Sequence, residues 1–198
     1  MALSDRDRRL LRLSTAVVLG RWDVAQELRA NAPPGEPDRG WREAVLQAHL
    51  FAGFSRVVEA YGVLGAAGGL GEPTAEEVLD EPERPERGRA LFDVIYGEHA
   101  DRVRRFLREG HPDFARWIEG HAYGRILSRP GLEPASRELL AVAALAALGQ
   151  ERQLASHARG SLRCGADPKD VAEAVQAVAD LIEPERLERA RRVLERFA

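Results

Sequence analysis

Apolar residues recur at three- and four-residue intervals along almost the whole chain, and no stretch sustains the two-residue alternation of a half-buried strand. The pattern predicts an all-α protein. Ser4 caps a first helix running to Leu19, with Asp7 at its third position and Gly20 as its stop. A shorter helix, Asp23 to Ala30, precedes a loop holding Pro33, Pro34, Gly35 and Pro37. Asp38 is placed to cap a helix over Gly40–Phe51, which Gly53 breaks before Phe54–Leu64. The glycine-rich stretch Ala66–Pro73 reads as a linker. Thr74 with Glu77 reads as the capping box of a very short helix, and the acidic, proline-rich Asp80–Gly88 reads as loop. Helical patterns return at Arg89–Tyr96, Ala100–Glu109 and Asp113–Leu127, and Ser128–Pro134 makes a turn.

Ser136–Leu148 is apolar nearly all round, which marks it as the central buried helix. Gly149 ends it, and a helix over Gln150–Arg163 follows, closed by Gly165. Asp167 caps the next helix with Pro168 at its first position, and Pro184 opens the last, to Phe197.

The chain also resembles itself. A shift of 129 residues lays Leu10-Leu11 on Leu139-Leu140 and Leu19-Gly20 on Leu148-Gly149. With one residue added, Glu43-Ala44-Val45 falls on Glu173-Ala174-Val175, and Val63-Leu64 on Val193-Leu194. This reads as two tandem helical repeats: a degenerate first copy over 1–66, a linker over 67–87 and a second copy over 88–198, which carries an extra leading segment.

Composition narrows the function. At 198 residues, with 44% hydrophobic and 31% charged residues, the chain is of globular type and can bury a core. A net charge of −3 argues against broad nucleic-acid binding. The basic face at Arg102, Arg104, Arg105 and Arg108 is offset by Asp101, Glu109 and Asp113, and reads as a solvated or subunit-contact face. Cys164 is the single cysteine, so a dithiol centre within one chain is excluded. No apolar run is long enough for a membrane helix, and the charged first residues do not read as a secretory signal, so the expected location is cytoplasmic. Phosphate-binding glycine loops and a nucleophile elbow are absent. His49, His99, His111 and His121 lack metal-ligand spacing and read as solvated or packed, with no metal expected.

The two copies differ at two chemically active positions. The second has Glu138 and His157 where the first has Arg9 and Leu28. Glu138 stands eleven residues before the Gly149 hinge and His157 eight after it. A carboxylate beside an imidazole fixes its tautomer and suits acid–base work, although the same spacing also fits a surface ion pair or a satisfied core histidine.

Three stretches then resemble the carboxymuconolactone decarboxylase family: Gly124-Arg-Ile-Leu-Ser-Arg-Pro-Gly-Leu132, Ser136-Arg-Glu-Leu-Leu140 with its continuation to Gly149, and Gln153-Leu-Ala-Ser-His-Ala-Arg-Gly-Ser-Leu162. Leu46-Gln-Ala-His-Leu-Phe-Ala-Gly-Phe54 resembles a further part of the same unit. The resemblance implies an alkylhydroperoxidase D-like helical bundle, a homo-oligomer of which a trimer is favoured, and a small-molecule substrate. The peroxidase branch uses a Cys-x-x-Cys pair whose positions here are Gln150 and Gln153, and glutamine forms no thiolate. The decarboxylase branch lacks the pair and works without a cofactor, removing CO2 from a carboxylated lactone in aromatic catabolism.

On that resemblance His157 is the proton donor and Glu138 its orienting partner. Gln150 and Gln153 are candidate partners of a lactone oxygen. Arg159 is a candidate carboxylate anchor, although it stands two residues from His157 and so points to another side of the helix. Tyr123 and Trp117 are candidates for an apolar wall or for core packing. Cys164 and the tail Asp180-Leu-Ile-Glu-Pro-Glu185 depart from the family pattern. An alkylhydroperoxidase-like redox protein and a non-catalytic oligomeric binding protein remain as alternatives.

Overall fold

A computed structural model describes residues 3–77, 82 and 84–197. These residues are helical nearly throughout, with no strand among them: α1 Asp5–Leu19, α2 Trp22–Ala30, α3 Asp38–Ala66, α4 Arg84–Tyr96, α5 Ala100–Gly110, α6 Pro112–Trp117, α7 Pro134–Leu148, α8 Glu151–Arg163, α9 Pro168–Gln176 and α10 Pro184–Leu194. The fold is the all-α, alkylhydroperoxidase D-like bundle that the sequence implied.

The caps explain where the helices start and stop. Ser4 and Asp7 form a reciprocal capping box at α1, and Asp167 and Asp170 form another at α9. Gly20 and Gly149 close α1 and α7 in the left-handed conformation, at φ 72° and φ 70°. Gly53 interrupts α3 at φ 79° and ψ 169°, a conformation open to glycine and costly for other residues.

Several local expectations need correction. Asp38 is not a cap; Pro37 precedes α3 with no side-chain bond, and Asp38 instead pairs with Arg29 at 2.8 Å. The segment expected as loop up to Gly88 is helical from Arg84, because Pro85 sits in the first turn, where its missing N–H costs nothing. Asp80, Glu81 and Glu83 lie outside the described residues. The helix expected over Asp113–Leu127 is α-helical only to Trp117. Ile118–Leu127 is a π-helix, in which the Ser128 N–H reaches back five residues to the Tyr123 carbonyl at 3.0 Å.

Two cores are built. The larger joins α1, α3 and α7–α10, with α7 at its centre and buried from Arg137 to Ala147. The smaller joins α4, α5 and the π-helix through Phe92, Ile95, Tyr123 and Leu127. A Cβ on Gly88 would lie 2.6 Å from the Gly124 backbone, so α4 crosses the π-helix closer than any side chain permits.

One buried ionic cluster ties the two halves of the chain together. Arg137 on α7 and Arg129 in the preceding turn both bond the Glu43 carboxylate on α3, at 2.7 and 2.8 Å. Gln47 donates to the Arg137 carbonyl at 2.7 Å, and Arg137 donates to the carbonyls of Arg129 and Pro130. The turn that begins at Ser128 is thereby fixed against α3, and with it the first turn of α7.

Candidate active site

Glu138 projects from that first turn. The α7–Gly149–α8 hairpin brings it opposite His157 on α8, because eleven and eight residues of helix rise about 16 and 12 Å from the hinge. The imidazole Nδ1 lies 2.9 Å from Glu138 Oε2. Glu138 is 1% exposed, and His157 closes one wall of a cavity of about 440 Å³ between the two cores. With Nδ1 on the carboxylate, Nε2 is the nitrogen left for the cavity. Burial disfavours the imidazolium, but the Glu138 charge and hydrogen bond outweigh it and hold the His157 pKa above its ordinary value.

The Ser156–Gly160 motif has a packing reason. A Cβ on Gly160 would collide with the Glu138 carboxylate and lie 2.9 Å from Ile95 Cγ2. Glycine there lets the carboxylate reach His157 past the neighbouring turn of α8.

Leu50 and Phe51 of α3, Val103 and Phe106 of α5, and Ile118 and Leu127 of the π-helix give the cavity an apolar wall. The Phe51 ring meets His157 edge-on, with centroids 6.3 Å apart. Neutral polar groups gather at Tyr96, Tyr123, Gln153 and Ser156, and Arg152 is the one arginine among the described lining residues. The Tyr123 hydroxyl donates to Tyr96 at 3.0 Å. Burial raises both phenols above their ordinary values, that of Tyr123 well above, so both stay protonated at neutral pH.

Of the residues picked from sequence, His157, Gln153 and Tyr123 line this cavity, and Glu138 stands behind His157, bonded to its Nδ1. Gln150 and Arg159 do not. Gln150 is exposed at the N-terminus of α8, and Arg159 is exposed over the Phe197 ring, lining a neighbouring cleft. Helical geometry already sets Arg159 on another side from His157, and no neighbouring helix turns it back. Trp117 is neither core nor cavity wall, being 65% exposed. Tyr96, Phe51 and Ser156 were missed. Ser156 adjoins the motif histidine and could have been found, whereas Tyr96 and Phe51 come from helices whose placement only packing decides.

Cys164 lies outside the cavity lining and is half-buried. Burial, then the Glu138 charge, push its thiol up to about 12, so it carries no thiolate at neutral pH. Among the described residues no three of His, Cys, Asp and Glu gather as metal ligands, and no helix is long and apolar enough to cross a membrane.

The fold and site define an all-α protein with a buried carboxylate–imidazole pair whose imidazole lines a largely apolar pocket, with no thiolate at neutral pH. The sequence pattern of the Carboxymuconolactone decarboxylase family matches residues 112–196, a span that holds both Glu138 and His157. The chain is 31% identical over 98 residues to the 4-carboxymuconolactone decarboxylase of Acinetobacter baylyi, covering 49% of this chain and 73% of that relative. It is 27% identical over 138 residues to Peroxisomal protein 2 of Schizosaccharomyces pombe, covering 67% of this chain and 64% of that relative. The chain belongs to the carboxymuconolactone decarboxylase family.

Proposed function

We propose that the chain is a cofactor-free decarboxylase of a carboxylated lactone, with His157 as the proton donor. The observation that carries this reading is the 2.9 Å contact between Glu138 Oε2 and His157 Nδ1 at the wall of a largely apolar cavity. Loss of CO2 breaks one carbon–carbon bond and leaves its electron pair delocalised into a dienolate. His157 Nε2 then protonates carbon, and Glu138 stabilises the imidazolium and holds its tautomer. Arg152, Gln153 and the protonated Tyr96, whose hydroxyl accepts from Tyr123, supply donors for the carboxylate and lactone oxygens; Arg152 takes the role first considered for Arg159. The apolar wall keeps water from the dienolate and strengthens each of these contacts.

The enzyme acts in this proposal as a homo-oligomer, with a trimer favoured, in the cytoplasm, and as a tandem repeat whose second copy alone keeps the acid–base pair. Support for assembly comes from Phe106 and Phe114, which line the cavity yet are 58% and 48% exposed, leaving its mouth for a neighbouring copy to cover. Support for the repeat comes from α1 and α7, each of 15 residues and each closed by a left-handed glycine.

The test follows the loss of 4-carboxymuconolactone absorbance for wild type and His157→Ala side by side. Turnover that falls at least about a hundredfold in the variant, with an unchanged helical circular-dichroism spectrum, supports the assignment. Absence of turnover in the wild type overturns it for this substrate.

A further inference from the structure

On the opposite side of α3 lies a second cleft, of about 370 Å³, with a different chemistry. His49 and Phe51 stand two residues apart on α3, so they point to different sides: Phe51 to the His157 cavity, His49 to this cleft. The π-helix divides in the same way. Ile118, Ala122, Tyr123 and Leu127 face the His157 cavity, while His121, Arg125 and Ile126 face the cleft.

Two imidazoles meet there, His49 Nε2 lying 2.7 Å from His121 Nε2. His49 Nδ1 is engaged by the Leu46 carbonyl, which fixes the ring. Arg84 and Arg87 of α4, Arg125 of the π-helix and Arg129 of the following turn also line the cleft, and no aspartate or glutamate is found among the described lining residues. Glu43 nearby pairs with both Arg129 and Arg137 and offsets charge at that end of the cleft. The Arg84 Nε is buried with no hydrogen-bond partner among the described residues. His121 is held below its ordinary pKa by burial first, and then by the neighbouring His49, Arg125 and Arg84. Beside this pole lies an apolar shelf: Phe54 stacks on His49 with ring centroids 5.2 Å apart, and Val58 and Tyr61 follow on the same face of α3. All three are exposed, Phe54 at 70%.

We propose that this cleft is a second ligand site, taking the oxyanion of a small organic acid, a carboxylate or a phosphate monoester. His49, His121, Arg84 and Arg125 receive the anion, and its organic part lies on Phe54, Val58 and Tyr61. Two imidazole nitrogens at hydrogen-bond distance share one proton, and an anion beside them favours a second. The site does not depend on the decarboxylase reading and is tested without any turnover assay.

The experiment is an NMR pH titration of the five histidine rings, assigned by single His→Asn variants. It is run in chloride, then with inorganic phosphate or benzoate at matched ionic strength. The expected result is a saturable rise of the His121 or His49 pKa by about one pH unit or more, with His157 unmoved. Benzoate binding more tightly than phosphate, and Phe54→Ala weakening benzoate alone, assigns an organic carboxylate. Phosphate binding more tightly, with no effect of Phe54→Ala, assigns a phosphate monoester. A response that is absent for both probes, or that survives unchanged in a folded Arg84→Ala/Arg125→Ala variant, overturns the proposal, because it reports screening alone.

Discussion

Glu43→Gln is the substitution for which the structure fixes the outcome most tightly. The side chain keeps its size and loses only its charge. Glu43 and Arg137 are each 1% exposed, and the carboxylate takes bonds from Arg137 at 2.7 Å and from Arg129 at 2.8 and 3.0 Å. In the variant, the buried Arg137 guanidinium faces a neutral amide whose N–H groups cannot accept its proton. Breaking a buried pair from one side costs about 3–5 kcal/mol, a large share of the roughly 5–15 kcal/mol that holds a domain together. For a chain of this size that lowers Tm by about 6–20 °C. Urea unfolding followed by circular dichroism measures the loss directly. The companion variant Glu43→Leu/Arg137→Met removes both charges of the innermost pair and is expected to recover part of it, since an apolar pair of similar volume fills the same space while Arg129 still loses its Glu43 partner. A Glu43→Gln protein within about 1 kcal/mol of wild type, at the threshold of ordinary surface substitutions, would refute the reasoning, as would a double variant less stable than the sum of the singles. The cluster anchors the turn from which Glu138 projects, so its integrity is also a condition of the site.

Gly160→Ala is expected to cost about 1–3 kcal/mol through overpacking against Ile95 and to lower turnover beyond that loss, because the new methyl displaces the carboxylate that holds His157; thermal unfolding and rates measured on the same sample separate the two effects. Cys164 is expected to react with iodoacetamide at mildly alkaline pH far more slowly in the folded than in the unfolded chain, given a thiol pushed up to about 12; rapid folded-state alkylation, or disulfide dimers after peroxide treatment, would revive the redox alternative. Arg42 holds the Glu77 carboxyl at about 2, so its folded pKa is depressed, and its contribution is fully present above the unfolded value near 4.3 and lost as pH falls toward 2. Glu43, also held below its usual range, adds to loss in the same acid direction. Arg42→Ala should therefore flatten the acid limb of a stability-against-pH curve measured by urea unfolding.

Much of this molecule is written in short-range chemistry. The capping boxes at Ser4 and Asp167, the left-handed stops at Gly20 and Gly149 and the break at Gly53 each follow from one or two residues and their immediate neighbours. Glu138 and His157 were also legible, because a glycine hinge between two helices turns sequence distance into height along a hairpin. The same local logic failed at Asp38 and at Arg84–Gly88. A partner across space, Arg29, took the would-be cap, and a proline expected to break structure sat where the first turn tolerates it.

The sequence by itself determined the helical class, most helix ends and the contact of Glu138 with His157, since each depends on contacts within a hairpin or less. Tertiary structure alone decided what surrounds that pair. Ten residues after Trp117 widened into a π-helix, which carries Leu127 rather than Arg125 to the face of Ile118 and sends the arginine to the opposite cleft. α4, α5 and α3 supplied Tyr96, Phe106 and Phe51 from distant parts of the chain. Local periodicity says which face of a helix is apolar. Which other helix covers that face, and which polar groups are left between them, is settled only when the whole set of helices packs at once.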